Sequence, residues 1–434
     1  MMDNALRWQK VFKPQYNHKD FVWRQLRKQN ILPTLGQGKY MKVVNPRPHT
    51  VADLVAKTLS NWSVQQTFGV AVASRKGLPE TLSKPQSTNN IAYYEVINAQ
   101  TAAFAASAYG SLTGRPAACF AENDIESKQL LKSLEANSAN RIPIIALTAQ
   151  NDFQTQTHRM PQWSKNIQAD SDHAELASRA CKNALLHNSI SHLNFPADIQ
   201  ARFLDTPMQA GAPQGRLPSQ NISPPQDALQ DAITLLRASE RPVILVGHGA
   251  RDRMEPVIQL AEQLRAPILT SVKGKGLIPN SHPLFGGVFG NSGIPVARNI
   301  MNDADAILIF GANFGEHTEI VTQCPTVQVD YDLSALAKYY PIDMPVWGEI
   351  GVTAQALSDD FLGDMWTKDQ TKAVAEHWEN WQASKQQAPM DLNTISPAML
   401  FETLSETVNE DAIIAIDAGK SADAFGGYFV CKQQ

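Results

Sequence analysis

The sequence has little of what marks the specialised classes of protein. Only four cysteines occur in 434 residues (Cys119, Cys181, Cys324 and Cys431), with no CxxC pair and no Cys/His cluster. Neither a zinc site nor a disulfide framework is therefore expected. No apolar run approaches the roughly 20 residues a membrane helix requires, and no signal-peptide pattern opens the chain, so a cytoplasmic protein without a membrane partner is expected. Charge of one sign is also lacking: 38 Lys and Arg stand against 42 Asp and Glu, a net charge of −4 that gives no reason to expect nucleic acid. What remains is an ordinary globular composition, 43% hydrophobic and 18% charged, in a chain longer than a single core holds. Cores stop growing near about 250 to 300 residues, so two to three domains are expected.

Residues 1–45 read as a basic N-terminal extension. Arg7, Lys10, Lys13, Lys19, Arg24, Arg27, Lys28 and Lys39 face only Asp3 and Asp20 within the first forty residues, with no apolar period. An organelle transit peptide would be Ser-rich, and this stretch contains no Ser. Met41 would serve equally well as a start.

From about Thr50 the pattern alternates between helix and strand. Val51, Leu54, Val55 and Leu59 share a helical face, and short apolar strands are expected at Thr67 to Val72, Ala117 to Phe120 and Ile142 to Leu147. Ala-rich and Leu-rich helices lie between them, the first closed by Gly114 as a C-cap. This spacing predicts a parallel sheet covered on both faces over 46–203. A Pro-, Gly- and Gln-rich stretch, 204–225, reads as a linker in the form of an extended surface tether. Beyond it a second doubly wound sheet is predicted over 226–362, with strands Val243 to Val246, Ile268 to Ser271, Ala306 to Phe310 and Thr326 to Val329 and helices Glu255 to Arg265 and Pro295 to Asn302. A charged, Trp-bearing connection (363–394) leads to an amphipathic helix, the apolar strand Ala412 to Ile416, and a turn at Asp417-Ala418-Gly419 within 395–434. The fold class is α/β: two doubly wound domains and the start of a third.

Chemistry concentrates at the expected strand ends of the second domain. VGHGARDR (246–253), SVKGKGLIP (271–279), GGVFGNSG (286–293), FGANFGEH (310–317) and the stretch beginning VDYD at 329 each follow a strand or form a crest loop. In open α/β sheets ligands sit at that end. Glycines there permit close backbone approach to a phosphate; Arg251, Lys273 and Lys275 supply positive charge, and Asp330 and Asp332 suit ribose or ribityl hydroxyls. The third glycine of GxGxxG is replaced by Asp252, which disfavours a nicotinamide dehydrogenase. Two readings stay open: flavin or adenine-nucleotide binding, and glycines that merely make tight turns.

AAFAASAYGSLTGRP (102–116), IPIIALTAQ (142–150), NFPADIQ (194–200) and the crest motifs resemble, in order and spacing over about 50–430, the thiamine-diphosphate-dependent enzymes of the acetolactate synthase and pyruvate oxidase branch. The resemblance implies a pyrimidine-binding-type first domain and a central domain of FAD or nucleotide type. Flavin contacts are implied near Gly249, Ala250, Arg251, Lys273, Gly274, Gly290, Gly311, Asn313, Asp330 and Asp332. Assembly as a homo-oligomer, or with a complementing polypeptide, is the further implication.

Several positions depart from the family pattern. The family glutamate that hydrogen-bonds the cofactor pyrimidine falls at Ala99, within Asn98-Ala99-Gln100, and a methyl group can neither donate nor accept. A branch of the family works with an apolar residue there. Glu95, one helical turn earlier on a helical reading, is the only weak rescue candidate, so no catalytic residue is intact. The family GPG turn aligns with Asp124-Ile125-Glu126 and its FGVPG turn with Phe68-Gly69-Val70-Ala71-Val72. The GDG motif that holds the magnesium ion on the cofactor diphosphate does not occur, so thiamine diphosphate and magnesium are not expected to be held by this chain alone, and no metal site is expected. The expectation is a 2-oxo acid enzyme by ancestry, inactive alone; the alternative is a non-catalytic relic or regulatory subunit that keeps nucleotide binding.

Overall fold

Thr50 and Asp53 open the first helix. The Thr50 hydroxyl accepts from the Asp53 amide at 3.1 Å while the Asp53 carboxylate accepts from the Thr50 amide at 3.1 Å, a reciprocal cap that fixes the first helix. The computed structural model describes residues 50–432 apart from 71–76, 84–89, 151–162, 207, 314, 316–323, 388–394 and 410. The basic extension therefore lies outside the described residues, as does the Ala71-Val72 end of the first expected strand.

The first domain runs α1 (Val51–Asn61), β1 (Gln66–Val70), α2 (Leu78–Ser83), β2 (Ala92–Val96), α3 (Ala99–Thr113), β3 (Ala117–Ala121), α4 (Asp124–Asn137), β4 (Ile144–Thr148), β5 (Trp163–Asn166), α5 (His173–His187), β6 (Ile190–Asn194) and α6 (Ala197–Gln200). Its six strands are parallel, in the order β2-β1-β3-β4-β6-β5. Residues alternate across the sheet as a twofold period requires. Ala118 and Phe120 of β3 enter the core beneath α1 and α5, whereas Ala117, Cys119 and Ala121 enter the one beneath α3 and α4. Helix α3 ends on Gly114 with φ 64°, as its sequence implies.

The second domain runs α7 (Gln226–Arg237), β7 (Pro242–Val246), α8 (Met254–Leu264), β8 (Ile268–Thr270), β9 (Phe285–Val288), α9 (Pro295–Asn302), β10 (Ala306–Phe310), β11 (Thr326–Asp330), β12 (Met344–Trp347) and α10 (Ile350–Asp360). The order β12-β11-β10-β7-β8-β9 is again all parallel and reverses direction between β7 and β10. Every residue of β7, β10 and β11 is buried; β7 and β10 are accordingly uninterrupted apolar runs in sequence, whereas β11 (TVQVD) buries Thr326, Gln328 and Asp330 as well.

The linker is irregular, as expected, but it is docked and not a free tether. Asn61 Nδ2 donates to the Gly211 carbonyl at 3.0 Å, the Gly211 amide donates to Thr58 Oγ1 at 3.0 Å, and Arg216 pairs with Glu175 at 2.5 Å. At its far end the Glu349 amide donates to the Ile222 carbonyl at 2.8 Å.

The C-terminal part adds a helix to the connection and corrects one expectation. The charged connection is largely a 17-residue helix, α11 (Thr371–Gln387), whose Trp378 stacks on Phe285 at 5.8 Å and donates to its carbonyl at 2.8 Å. After α12 (Pro397–Thr407) the apolar stretch Ala412 to Ile416 forms no strand, because no neighbouring edge pairs with it; Ile413 and Ile414 stay 49% and 42% exposed. The chain instead forms α13 (Lys420–Tyr428), which lies on the β9 side of the second domain. Lys275 donates to the Gly426 carbonyl at 3.0 Å from within that contact and sits 5.9 Å from the centre of the Phe425 ring. Tyr428 stacks on Trp381, and Asn280 and Cys431 exchange hydrogen bonds of 3.0 and 3.2 Å. The second domain thus holds α13 and the residues after it, while Ile413 and Ile414 stay exposed.

Candidate functional site

Two places bear on chemistry, and the first is the β2–α3 turn. Asn98 caps α3: its Oδ1 accepts from the Thr101 amide at 2.8 Å and from the Thr101 hydroxyl at 3.0 Å. Ala99 follows as the first helical residue and is fully buried, in the core that also holds Phe68, Ala102 and Ala103. Its methyl presents no polar atom. Glu95 does not lie one helical turn before it. It belongs to strand β2, exposed and registered against Gly69 of β1, so the periodicity that placed it on the face of Ala99 does not apply.

The neighbouring β3–α4 turn is an ordinary helix start. Asn123 Oδ1 accepts from the Glu126 amide at 2.9 Å, and Asp124 and Ile125 point into solvent. Beneath it Glu126 Oε2 and Ser127 Oγ are shielded without a hydrogen-bond partner among the described residues. The bare backbone of a GPG turn is absent because these residues form the first turn of a helix. The residues present do not supply the carboxylate that the family pattern sets against the cofactor's pyrimidine, since the Ala99 methyl offers no acceptor. Among the described residues there is also no cluster of three or more His, Cys, Asp or Glu suited to a metal ion.

The second place is the carboxyl end of the second sheet. Here the glycines of the crest pack on protein. A Cβ on Gly249 would lie 2.9 Å from Gly311 Cα, one on Gly311 2.6 Å from the Ala250 amide nitrogen, and the Gly249 amide donates to the Gly311 carbonyl at 3.0 Å. These two glycines let the β7 and β10 loops touch. Gly274 similarly faces the Val246 carbonyl, 2.9 Å from where its Cβ would be, and Gly290 turns the chain at φ 110°. Ala250 is fully buried and Asn313 exposed. Tight packing thus accounts for Gly249, Gly274 and Gly311, while of the polar members Arg251, Lys273 and Asp332 are partly or fully exposed and Asp330 is buried.

Those polar members form two poles. Arg251 contacts His248, and Lys273 lies near the same imidazole. Burial, then the charges of Arg251 and Lys273, push His248 below its ordinary range. Across the crevice Asp330 is 3% exposed. Burial raises its carboxyl above the usual carboxylate range, with Arg141 pulling the other way. Asp332 is held below that range: burial pushes it up, but hydrogen bonds from Ser334 and the charge of Arg141 outweigh the burial.

Two residues that sequence reasoning missed, Asn140 and Arg141, also belong here. They leave the last turn after α4, at the foot of β4, and cross to the second domain. Lys273 Nζ donates to Asn140 Oδ1 at 2.7 Å; Arg141 Nη1 and Nη2 donate to Asp330 Oδ1 and Asp332 Oδ2, both at 3.1 Å. An Asn-Arg pair between a helix and a strand reads as a solvated turn, so no local pattern could have found it. A second missed group lies at the ends of β4 and β6, where His192 Nε2 meets Thr148 Oγ1 at 2.8 Å and Nδ1 meets Ser164 Oγ at 2.8 Å, beside Asn194.

Comparison with known proteins agrees with this architecture. Residues 49–171 match the family model "Thiamine pyrophosphate enzyme, N-terminal TPP binding domain", and residues 229–357 match "Thiamine pyrophosphate enzyme, central domain", together more than half of the chain. The chain is 21% identical over 388 residues to a "Putative thiamine pyrophosphate-containing protein YdaP" of Bacillus subtilis, covering 85% of this chain and 66% of that one. It is 24% identical to a "Pyruvate oxidase" of Lactiplantibacillus plantarum over 84% of this chain and 63% of the relative. It is also 24% identical to "Acetolactate synthase isozyme 1 large subunit" of Escherichia coli over 86% and 68%. The chain spans about two thirds of the length of these relatives.

Proposed function

This chain belongs to the thiamine pyrophosphate enzyme family, and we propose that it carries that fold without forming the reactive thiazolium ylid on its own. The observation that carries the reading is Ala99, a buried methyl group at the start of α3 where the family pattern has a carboxylate. Thiamine diphosphate, when bound in a relative, supplies the carbanion that attacks a 2-oxo acid. The residues here supply no acceptor for its pyrimidine, and Glu95 is on a strand facing solvent. General acid/base coupling of this kind contributes about 10²- to 10⁴-fold. The chain is then a structural or regulatory member whose remaining chemistry lies at the crest of its second domain, where Arg251 and Lys273 suit a diphosphate and Asp330 and Asp332 suit a ribose diol. An adenine nucleotide such as FAD is the ligand that combines both.

Association supports the same role. Ile97 and Ile125, in the two turns around Ala99, are 88% and 72% exposed, with Phe104 beside them on α3. A second copy, or a polypeptide completing the site, would cover them. The test is release of CO₂ from pyruvate by the purified chain with thiamine diphosphate and magnesium, alongside proton exchange at the thiazolium. The expected outcome is release no faster than with cofactor alone. Turnover at rates of 1 s⁻¹ or above, on the order of ordinary enzymes, would overturn the reading.

A further inference from the structure

The crevice between β7 and β10 is where strand order reverses, the place at which open α/β sheets take nucleotides. In this chain it is spanned from outside by the first domain. Asn140 holds Lys273, at the end of β8 on one side; Arg141 holds Asp330 and Asp332, at the end of β11 on the other. Two consecutive residues therefore engage both the cation suited to a diphosphate and the carboxylates suited to a diol. Arg141 does so at φ 51°, a left-handed backbone that side-chain-bearing residues seldom adopt. Its guanidinium reaches both carboxylates, one of them nearly buried. A ribose donates its two hydroxyls to the same kind of oxygen, so diol and guanidinium exclude each other.

Resting on the nucleotide reading of this crest, we propose that Asn140 and Arg141 form a displaceable plug: the ADP portion of a nucleotide enters only as they leave, and binding unties the first domain from the second. The site is regulated by the chain's own domain contact. Closure lowers apparent affinity by the fraction of molecules that are open, and anything that loosens the contact raises it.

The experiment titrates the full chain and the variants Arg141→Gly and Asn140→Ala with FAD, followed by fluorescence anisotropy, and separately with ADP, followed by calorimetry. Glycine suits the left-handed backbone at 141, so the variant removes the guanidinium without a conformational penalty. The expected result is that Arg141→Gly tightens both ligands about tenfold or more, with Asn140→Ala tightening them less. Tightening of FAD alone would overturn the assignment to the ADP portion. Equal or weaker binding by the folded variant, when the unmodified chain binds, overturns the plug and leaves the nucleotide reading intact. Absence of binding in every folded form overturns both. Hydrogen exchange at residues 138–142 gives a check free of mutation: exchange is expected to speed up when ADP saturates the unmodified chain, and unchanged or slower exchange contradicts displacement.

Discussion

His192 shows how much one buried side chain decides. Both of its ring nitrogens are engaged, by Thr148 and Ser164, and burial lowers its pKa from 6.5 to about 4. Above pH 6.5 it is neutral folded or unfolded and titration costs nothing. As pH falls from 6.5 towards 4 the unfolded chain takes up a proton that the folded chain refuses, so stability is lost at up to about 1.4 kcal/mol per pH unit, roughly 3 kcal/mol in all. Denaturant midpoints measured from pH 7 to pH 4 are expected to fall less steeply in His192→Gln than in the unmodified protein. Parallel curves would mean that the imidazole is not the group responsible. Nothing in the string ISHLN marks this histidine, since the hydroxyls that engage its ring come from two other strands.

Among the elements, the C-terminal helix pair depends on a single buried cation. Lys275 is 9% exposed and donates to the Gly426 carbonyl in the last turn of α13. The Lys275→Met change keeps the stem and removes the donor, leaving that carbonyl without its partner. Thermolysin cleavage at the exposed Ile413 and Ile414, between α12 and α13, is expected to quicken about tenfold, with the two sheet domains as resistant as before; identical digestion of both proteins would show that aromatic packing alone holds the helix. The elements themselves were legible wherever a local period decided them. β7 and β10 announced themselves as apolar runs, and α3 by its alanines and Gly114. The strand expected at Ala412 to Ile416 failed because apolar alternation licenses a strand only where an edge exists to pair with it. Strands β2, β5, β6, β9 and β12 escaped notice: β2, β5 and β12 are rim strands whose half-exposed residues break the apolar signal, while the buried β6 and β9 are interrupted by Ser191, His192 and Asn194 and by Gly286 and Gly287. The glycines of the crest were legible as turn-makers, but the arginine opposite them was not, because it comes from a different domain.

For the molecule as a whole, the linker is docked on both domains, Gly211 on the first and Ile222 on the second. Gly211 lies so close to α5 that a Cβ there would sit 1.8 Å from Ser178 Oγ, the hydroxyl that accepts from Trp62 Nε1 at 3.3 Å. Gly211→Ala is expected to destabilise the first domain by about 1 to 3 kcal/mol, as overpacking does. A urea titration that leaves the midpoint unchanged would mean that the linker peels away freely. The same view of the chain gives the turn at Val272–Gly274 a mechanical meaning. Lys273 reaches the first domain and Lys275 reaches α13, while Gly274 between them is wedged against the Val246 carbonyl. The turn is a fulcrum with two arms. The first domain and the C-terminal helices, far apart in sequence, are thus anchored on one three-residue turn.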